Sequence, residues 1–132
     1  MKESALDRFL RYVKIDTQSD DTSETYPSTE KQWDLLNLLV TELKEIGIED
    51  AATDKWGYVV GTLPANIPQD HPAYGKVPTI GFLAHVDTSP ESPGKDVKPQ
   101  VIENYQGGDL VLPGDPGQVI KEAENPGLTK CY

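Results

Sequence analysis

The sequence predicts an α/β fold: part of a mixed, mostly parallel sheet flanked by helices. Two observations predict it. Thr79-Ile80-Gly81-Phe82-Leu83-Ala84-His85-Val86-Asp87-Thr88 reads as a strand that is apolar almost throughout. Ile80, Phe82, Ala84 and Val86 would lie on one face, with Gly81 and Leu83 on the other. A strand apolar on both faces must be covered on both faces, which is the position of a central strand in a mostly parallel sheet. The second observation is a pair of helical stripes upstream, which supply candidates for the covering layer.

Taken in order, Ser4-Ala5-Leu6-Asp7 resembles a capping box with Asp in place of Glu. Leu6, Phe9, Leu10 and Val13 follow at helical spacing, so the first helix is predicted over Leu6 to about Lys14. Thr17 to Pro27 is rich in Ser, Thr and Asp and reads as a loop, with Asp16, Thr17 and Ser19 in turn chemistry. Thr29-Glu30-Lys31-Gln32 forms a second capping-box pattern. Trp33, Leu36, Leu39, Val40, Leu43 and Ile46 then mark one face of a longer helix, with Trp33 in the core. Gly47 can close that helix in a left-handed conformation.

Ala51 to Thr53 and Tyr58 to Leu63 read as short extended runs. Asp54-Lys55-Trp56-Gly57 between them reads as a hairpin turn. Pro64 to Pro78 carries prolines at 64, 68, 72 and 78 and is a surface loop holding His71, which reads as exposed and inert. The long apolar strand follows, and Ser89-Pro90-Glu91-Ser92-Pro93-Gly94 stops it. Pro99 to Tyr105 is a further strand candidate. Beyond Tyr105 glycine and proline recur, and only short runs such as Leu110-Val111-Leu112 and Val119-Ile120 lie between them. Such a tail is either an extended excursion or the edge of a fold that continues.

The 132 residues suffice for one ordinary core. Acidic residues outnumber basic ones 22 to 12, giving a net charge of −10. That balance argues against nucleic acid and against an anionic membrane surface, both of which call for clustered Lys and Arg. No apolar run approaches a bilayer span and no signal-peptide pattern opens the sequence. The single cysteine, Cys131, leaves no internal disulfide. The expected setting is the cytoplasm.

The chemistry-bearing pair sits at the carboxyl end of the long strand. Side chains two apart on a strand point the same way, so His85 and Asp87 would leave the core side by side, at the edge where open α/β sheets place their ligand crevices. Zinc takes neutral imidazole, and a ligating histidine commonly hands its other ring N–H to a carboxylate. In that reading His85 is the metal ligand and Asp87 fixes its tautomer. One histidine is not a complete site, since zinc needs three or four ligands. A rival reading takes Val86-Asp87-Thr88-Ser89 as an aspartic-protease signature, with one Asp87 from each subunit of a homodimer. Pro90 stands where those enzymes carry Gly or Ala, and the helical N-terminal third does not suit their nearly all-β fold. A third reading is a non-catalytic interaction domain.

Several blocks together resemble the N-terminal region of tripeptide aminopeptidases of the M20 zinc-peptidase family. They are Arg8-Phe9-Leu10-Arg11-Tyr12-Val13, Asp16-Thr17-Gln18-Ser19, Pro27-Ser28-Thr29-Glu30, Thr62-Leu63-Pro64-Ala65-Asn66, Ile80 through Pro90, and Gln100-Val101-Ile102-Glu103-Asn104-Tyr105. The resemblance runs to about Gly108, and the block around His85 is its most specific part. It implies that residues 1–132 are the N-terminal portion of a catalytic domain. The rest of that domain and the family's inserted dimerisation domain lie outside the matched stretch.

The resemblance also implies that His85 is the first zinc ligand and that Asp87 is the catalytic-site carboxylate orienting it. Its cofactor is Zn²⁺, two ions per complete site. Its substrates are short peptides, tripeptides among them, and a homo-oligomer is compatible with it. The family's bridging aspartate, its general-base and ligand glutamates, a further carboxylate and a last histidine lie downstream of the matched stretch. Glu122 and Glu124 do not stand in the family's context and receive no role. The chain alone is therefore expected to lack peptidase activity and to bind zinc weakly.

Overall fold

A computed structural model describes residues 3–130, so Cys131 lies outside the described residues. The chain divides into two units, Met1–Pro99 and Gln100–Tyr132. The elements are mixed α/β. In the first unit, α1 (Ala5–Tyr12) and α2 (Gln32–Glu45) precede the hairpin of β1 (Ala52–Thr53) and β2 (Val59–Val60). In the second unit, β3 (Leu110–Leu112) pairs antiparallel with β4 (Asp115–Ile120), followed by two short 3₁₀ turns.

The first capping box forms as its sequence dictates. The Asp7 N–H donates to Ser4 Oγ at 3.1 Å, and the Ser4 N–H donates to Asp7 Oδ2 at 3.0 Å. Two orphan donors are thereby satisfied reciprocally. The helix ends at Tyr12, two residues before the expected Lys14. Its expected apolar stripe is not buried: Leu6 and Phe9 are exposed. What ties α1 to α2 is polar. Glu42, buried on α2, accepts from Arg8 Nη1 at 3.1 Å and also from Arg11 Nη1 and the Tyr12 hydroxyl. The Arg11 guanidinium, foremost, and then Tyr12 hold the Glu42 carboxyl below its ordinary value against the opposing effect of burial.

The second capping box does not form. Lys31 occupies the N-cap in a helical conformation and makes no side-chain cap. Instead the helix is entered through a tight turn, in which Gln32 N–H donates to Thr29 O at 3.3 Å and Trp33 N–H to Glu30 O at 3.1 Å. Thr29 is wound into that turn, so its hydroxyl is free to donate to Gln18 O at 2.8 Å. The inward face of α2 carries Gln32, Leu35, Leu36 and Glu42, rotated from the expected stripe. Trp33 is half-buried and Ile46 is exposed. The pull of α1's arginines on Glu42 accounts for a polar residue on that face. Gly47 closes α2 at φ 98, as expected of a left-handed cap.

The Asp54–Gly57 turn is also as expected. Ala52 pairs with Val60 and Thr53 with Val59. Asp54 Oδ1 accepts from Trp56 N–H and Tyr58 N–H, both at 2.9 Å, beside the backbone bonds from Asp54 N–H to Tyr58 O at 3.0 Å and from Gly57 N–H to Asp54 O at 3.2 Å. The hairpin packs on α2 so tightly that a Cβ at Gly57 would lie 2.7 Å from Pro27 Cγ and 3.3 Å from Leu36 Cδ1. Leu35, Leu36 and Ala51 are the buried apolar residues among those described.

Three expectations are not met by the described residues. Among the described residues both sheets are two-stranded and antiparallel, and no mostly parallel sheet is formed. Residues 79–87 join no ladder, because no element among those described lies alongside to exchange hydrogen bonds with them. Pro99–Tyr105 forms no strand either, since Asn104 takes a left-handed turn conformation at φ 52. The short runs beyond it do find partners. Leu110 pairs with Ile120 and Val111 with Val119, with an irregularity before Leu112.

Candidate functional site

The His85–Asp87 segment is anchored from one side only. Thr88 makes a parallel bridge to Gln18, in which Thr88 N–H donates to Thr17 O at 3.1 Å and Ser19 N–H donates to Thr88 O at 2.9 Å. The Ser19 hydroxyl adds a second bond to Thr88 O at 2.8 Å. Upstream of that bridge the apolar stretch stands open, with Phe82 and Leu83 each 95% exposed. The expectation that this strand is covered on both faces is not met by the described residues.

At the end of the stretch the imidazole and carboxylate meet as the two-residue spacing implies. His85 Nδ1 lies 2.9 Å from Asp87 O and 3.3 Å from Asp87 Oδ1. A backbone carbonyl can only accept, so Nδ1 carries the proton and donates. The neutral ring then presents an unprotonated Nε2, the atom a metal ion needs. The His85 side chain is 85% exposed, so Nε2 is accessible to solvent. His71, expected to be inert, is exposed but has a partner in the opposite sense: the Ala73 N–H donates to His71 Nδ1 at 3.1 Å. That leaves the proton of neutral His71 on Nε2.

These donors fit one ligand's part in a zinc site and no more. Among the described residues there is no group of three or more His, Cys, Asp or Glu that could hold a metal ion. Glu122 and Glu124 lie in the second unit and serve local bonds. Gly108 N–H donates to Glu122 Oε2 at 2.6 Å, and Lys121 Nζ pairs with Glu124 Oε1 at 2.9 Å. Asp87 Oδ1 faces the His85 imidazole.

Sequence reasoning took Asp16, Thr17 and Ser19 for turn chemistry and Asp16–Ser19 for a block of the resemblance, and missed the contacts that Gln18 makes. Gln18 Nε2 donates to Pro90 O at 3.0 Å and to Ser92 O at 2.9 Å, while Gln18 Oε1 accepts from Lys31 Nζ at 3.3 Å. Lys31 Nζ also pairs with Asp16 at 3.1 Å. The Asp16 carboxyl is held below its ordinary value, first by the Gln18 N–H and then by Lys31. Gly94 is buried against this segment, where a Cβ would lie 2.6 Å from Asp16 Oδ1. The only sequence signal for the clamp is a glutamine and a lysine in otherwise turn-like surroundings.

The chain matches curated relatives over most of its own length. Those relatives are, by name, peptidase T. The chain is 57% identical over 112 residues to peptidase T of Geobacillus thermodenitrificans (strain NG80-2), which is 85% of this chain and 26% of that protein. It is 50% identical over 126 residues to peptidase T of Alkaliphilus oremlandii (strain OhILAs), covering 96% of this chain and 30% of that protein. It is 51% identical over 130 residues to peptidase T of Bacillus pumilus (strain SAFR-032), covering 98% and 30%. The resemblance holds over most of this chain as a likeness to proteins named peptidase T. The chain spans about 30% of the length of the curated relatives it matches. No family model matches it. No helix among the described residues is long and apolar enough to cross a membrane.

Proposed function

We propose that this chain is the N-terminal portion of the catalytic domain of a zinc-dependent aminopeptidase that releases the N-terminal residue of tripeptides. In this reading His85 is a zinc ligand through Nε2, and Asp87 fixes the ring's tautomer and orientation. The single observation that carries the reading is the bond from His85 Nδ1–H to Asp87 O at 2.9 Å, with the carboxylate at 3.3 Å and the rest of the ring open to solvent. That is the arrangement a ligating histidine needs before any metal arrives. Two zinc ions in the complete enzyme would supply an activated water and a polarised scissile carbonyl. This chain's own part is to hold one nitrogen unprotonated and aimed outward. The fold reading goes with it: Thr79–Thr88 has the sequence of a central strand in a mostly parallel sheet flanked by helices. A cytoplasmic setting, peptide substrates and a homo-oligomer belong to the same proposal.

A zinc titration of the chain followed by NMR at a pH where imidazole is neutral tests it. Zinc is expected to shift the His85 ring resonances at weak affinity, and His85→Ala removes that binding. No hydrolysis of a tripeptide is expected from the chain alone. A zinc response that His85→Ala leaves intact overturns the ligand assignment. A stoichiometric zinc retained through purification overturns the view that the chain contributes a single ligand.

A further inference from the structure

We propose that the Thr17–Ser19 clamp, with Gln18 at its centre, positions His85 through one shared peptide group. The geometry is specific. The peptide joining Asp87 and Thr88 is bonded on both of its polar atoms. Its carbonyl, Asp87 O, accepts from His85 Nδ1 at 2.9 Å, and its N–H, on Thr88, donates to Thr17 O at 3.1 Å. A planar trans peptide cannot turn its carbonyl without turning its N–H. Whatever holds Thr88 N–H therefore holds the acceptor that sets the imidazole's tautomer.

Gln18 keeps that hold in place from the other side. Its carboxamide uses both hydrogens, on Pro90 O and Ser92 O, and its oxygen takes Lys31 Nζ. The O and N ends of the amide are thus fixed by their partners. The chain downstream of Thr88 is drawn against residues 16–18, and buried Gly94 lies there because no side chain fits. The hydrogen bonds of the Gln18 side chain go to Pro90, Ser92 and Lys31 and not to His85 or Asp87. Gln18 acts through the backbone, so it is a positioning residue and not a ligand. The inference rests on the proposed zinc role only for its consequence; the tautomer it controls exists without metal.

The test is a ¹⁵N-edited NMR measurement of ring tautomers in the metal-free chain at a pH where imidazole is neutral. His71 is the internal reference, because its Nδ1 accepts where that of His85 donates. Wild-type His85 is expected in the Nδ1–H form and His71 in the Nε2–H form. Gln18→Ala and Gln18→Glu, both of which lose the two carboxamide donations, are expected to lower the Nδ1–H to Nε2–H ratio of His85 by about fivefold, the factor one ordinary net hydrogen bond carries. His71 should not move. Ser19→Ala, which removes only the hydroxyl bond to Thr88 O, is expected to move His85 in the same direction by less.

Folded Gln18 variants that keep the wild-type His85 ratio overturn the proposal, as does a wild-type His85 in the Nε2–H form. If the Gln18 variants lose the resonances of the β1–β2 hairpin, Ser19→Ala decides, and an unmoved His85 there overturns it. A zinc titration of wild type separates the two ideas. Tautomer shifts in the variants without any zinc response at His85 leave the clamp standing and remove the metal role.

Discussion

The α2–hairpin region and the stretch over residues 79–87 are built from similarly apolar sequence, yet they end in opposite environments. Leu36 is 3% exposed and Ala51 1%, while Phe82 is 95% exposed. The difference lies in where the partners are. α2 is covered by β1 and β2, the elements that follow it directly along the chain, so local closure suffices. Among the described residues the 79–87 stretch has no neighbour of that kind, and the bridge at its end, at Thr88, reaches back to Gln18 across the intervening chain. A strand apolar on both faces needs partners from far away in sequence, and a helix–hairpin unit does not.

The sharpest way to test the packed side of this comparison is Glu42. Glu42→Ala removes the acceptor that ties Arg8, Arg11 and the Tyr12 hydroxyl to α2, leaving the two guanidiniums only Glu3 as a carboxylate partner among the described residues. Because both arginines are part-exposed and can rehydrate, the expected loss is on the order of 2 kcal/mol rather than the larger cost of a fully buried pair. A urea midpoint measures it. The same contact predicts a pH dependence. The folded carboxyl titrates below the unfolded value of about 4.3, so its stabilisation is present in full above that value. It is lost as the pH falls from there through the folded pKa. Glu42→Ala should therefore flatten the acid limb of stability against pH. An unchanged acid limb would mean that α1 is held by something other than this carboxylate.

Glu42 also shows what the sequence made legible and what it did not. Local chemistry read well: the Ser4–Asp7 box, the Gly47 cap, the Asp54–Gly57 turn and the His85–Asp87 pairing all follow from residues within a few positions of one another. The readings that failed needed information about distant neighbours. Thr29 has a capping-box sequence, but its hydroxyl goes to Gln18. Glu42 lies outside the apolar stripe of α2, but arginines from α1 bring it inward. Gln18 stands in one of the resemblance blocks, but nothing local shows that its carboxamide reaches carbonyls 72 and 74 positions downstream. The meeting of His85 with Asp87 was visible in the sequence; the bonds of Gln18 behind it were not.

Gly94 probes the anchored end of the open stretch. A methyl group there meets Asp16 Oδ1 at 2.6 Å and Gln18 Cβ at 3.1 Å. The carboxylate can swing aside, but only by leaving the Gln18 N–H and Lys31. Gly94→Ala is expected to cost about 1 kcal/mol, the low end for overpacking, and to weaken protection of the Thr88 amide in hydrogen exchange. A variant with wild-type Thr88 protection would show that the bridge to Thr17 does not depend on this close approach.

The smallest expected effect falls on the open side. Phe82→Ser with Leu83→Ser removes two large apolar side chains that touch almost nothing, so the urea midpoint should stay within about 0.5 kcal/mol of wild type. Deleting two such residues from a packed strand would cost several times that. What should change is association. An uncovered apolar stretch with unpaired backbone groups invites pairing with another copy, and sedimentation at rising concentration should show the double variant less associated than wild type. Should the substitution instead destabilise the monomer by 2 kcal/mol or more, the two side chains are covered in solution. The contrast between a locally closed helix–hairpin unit and an uncovered apolar stretch would then collapse.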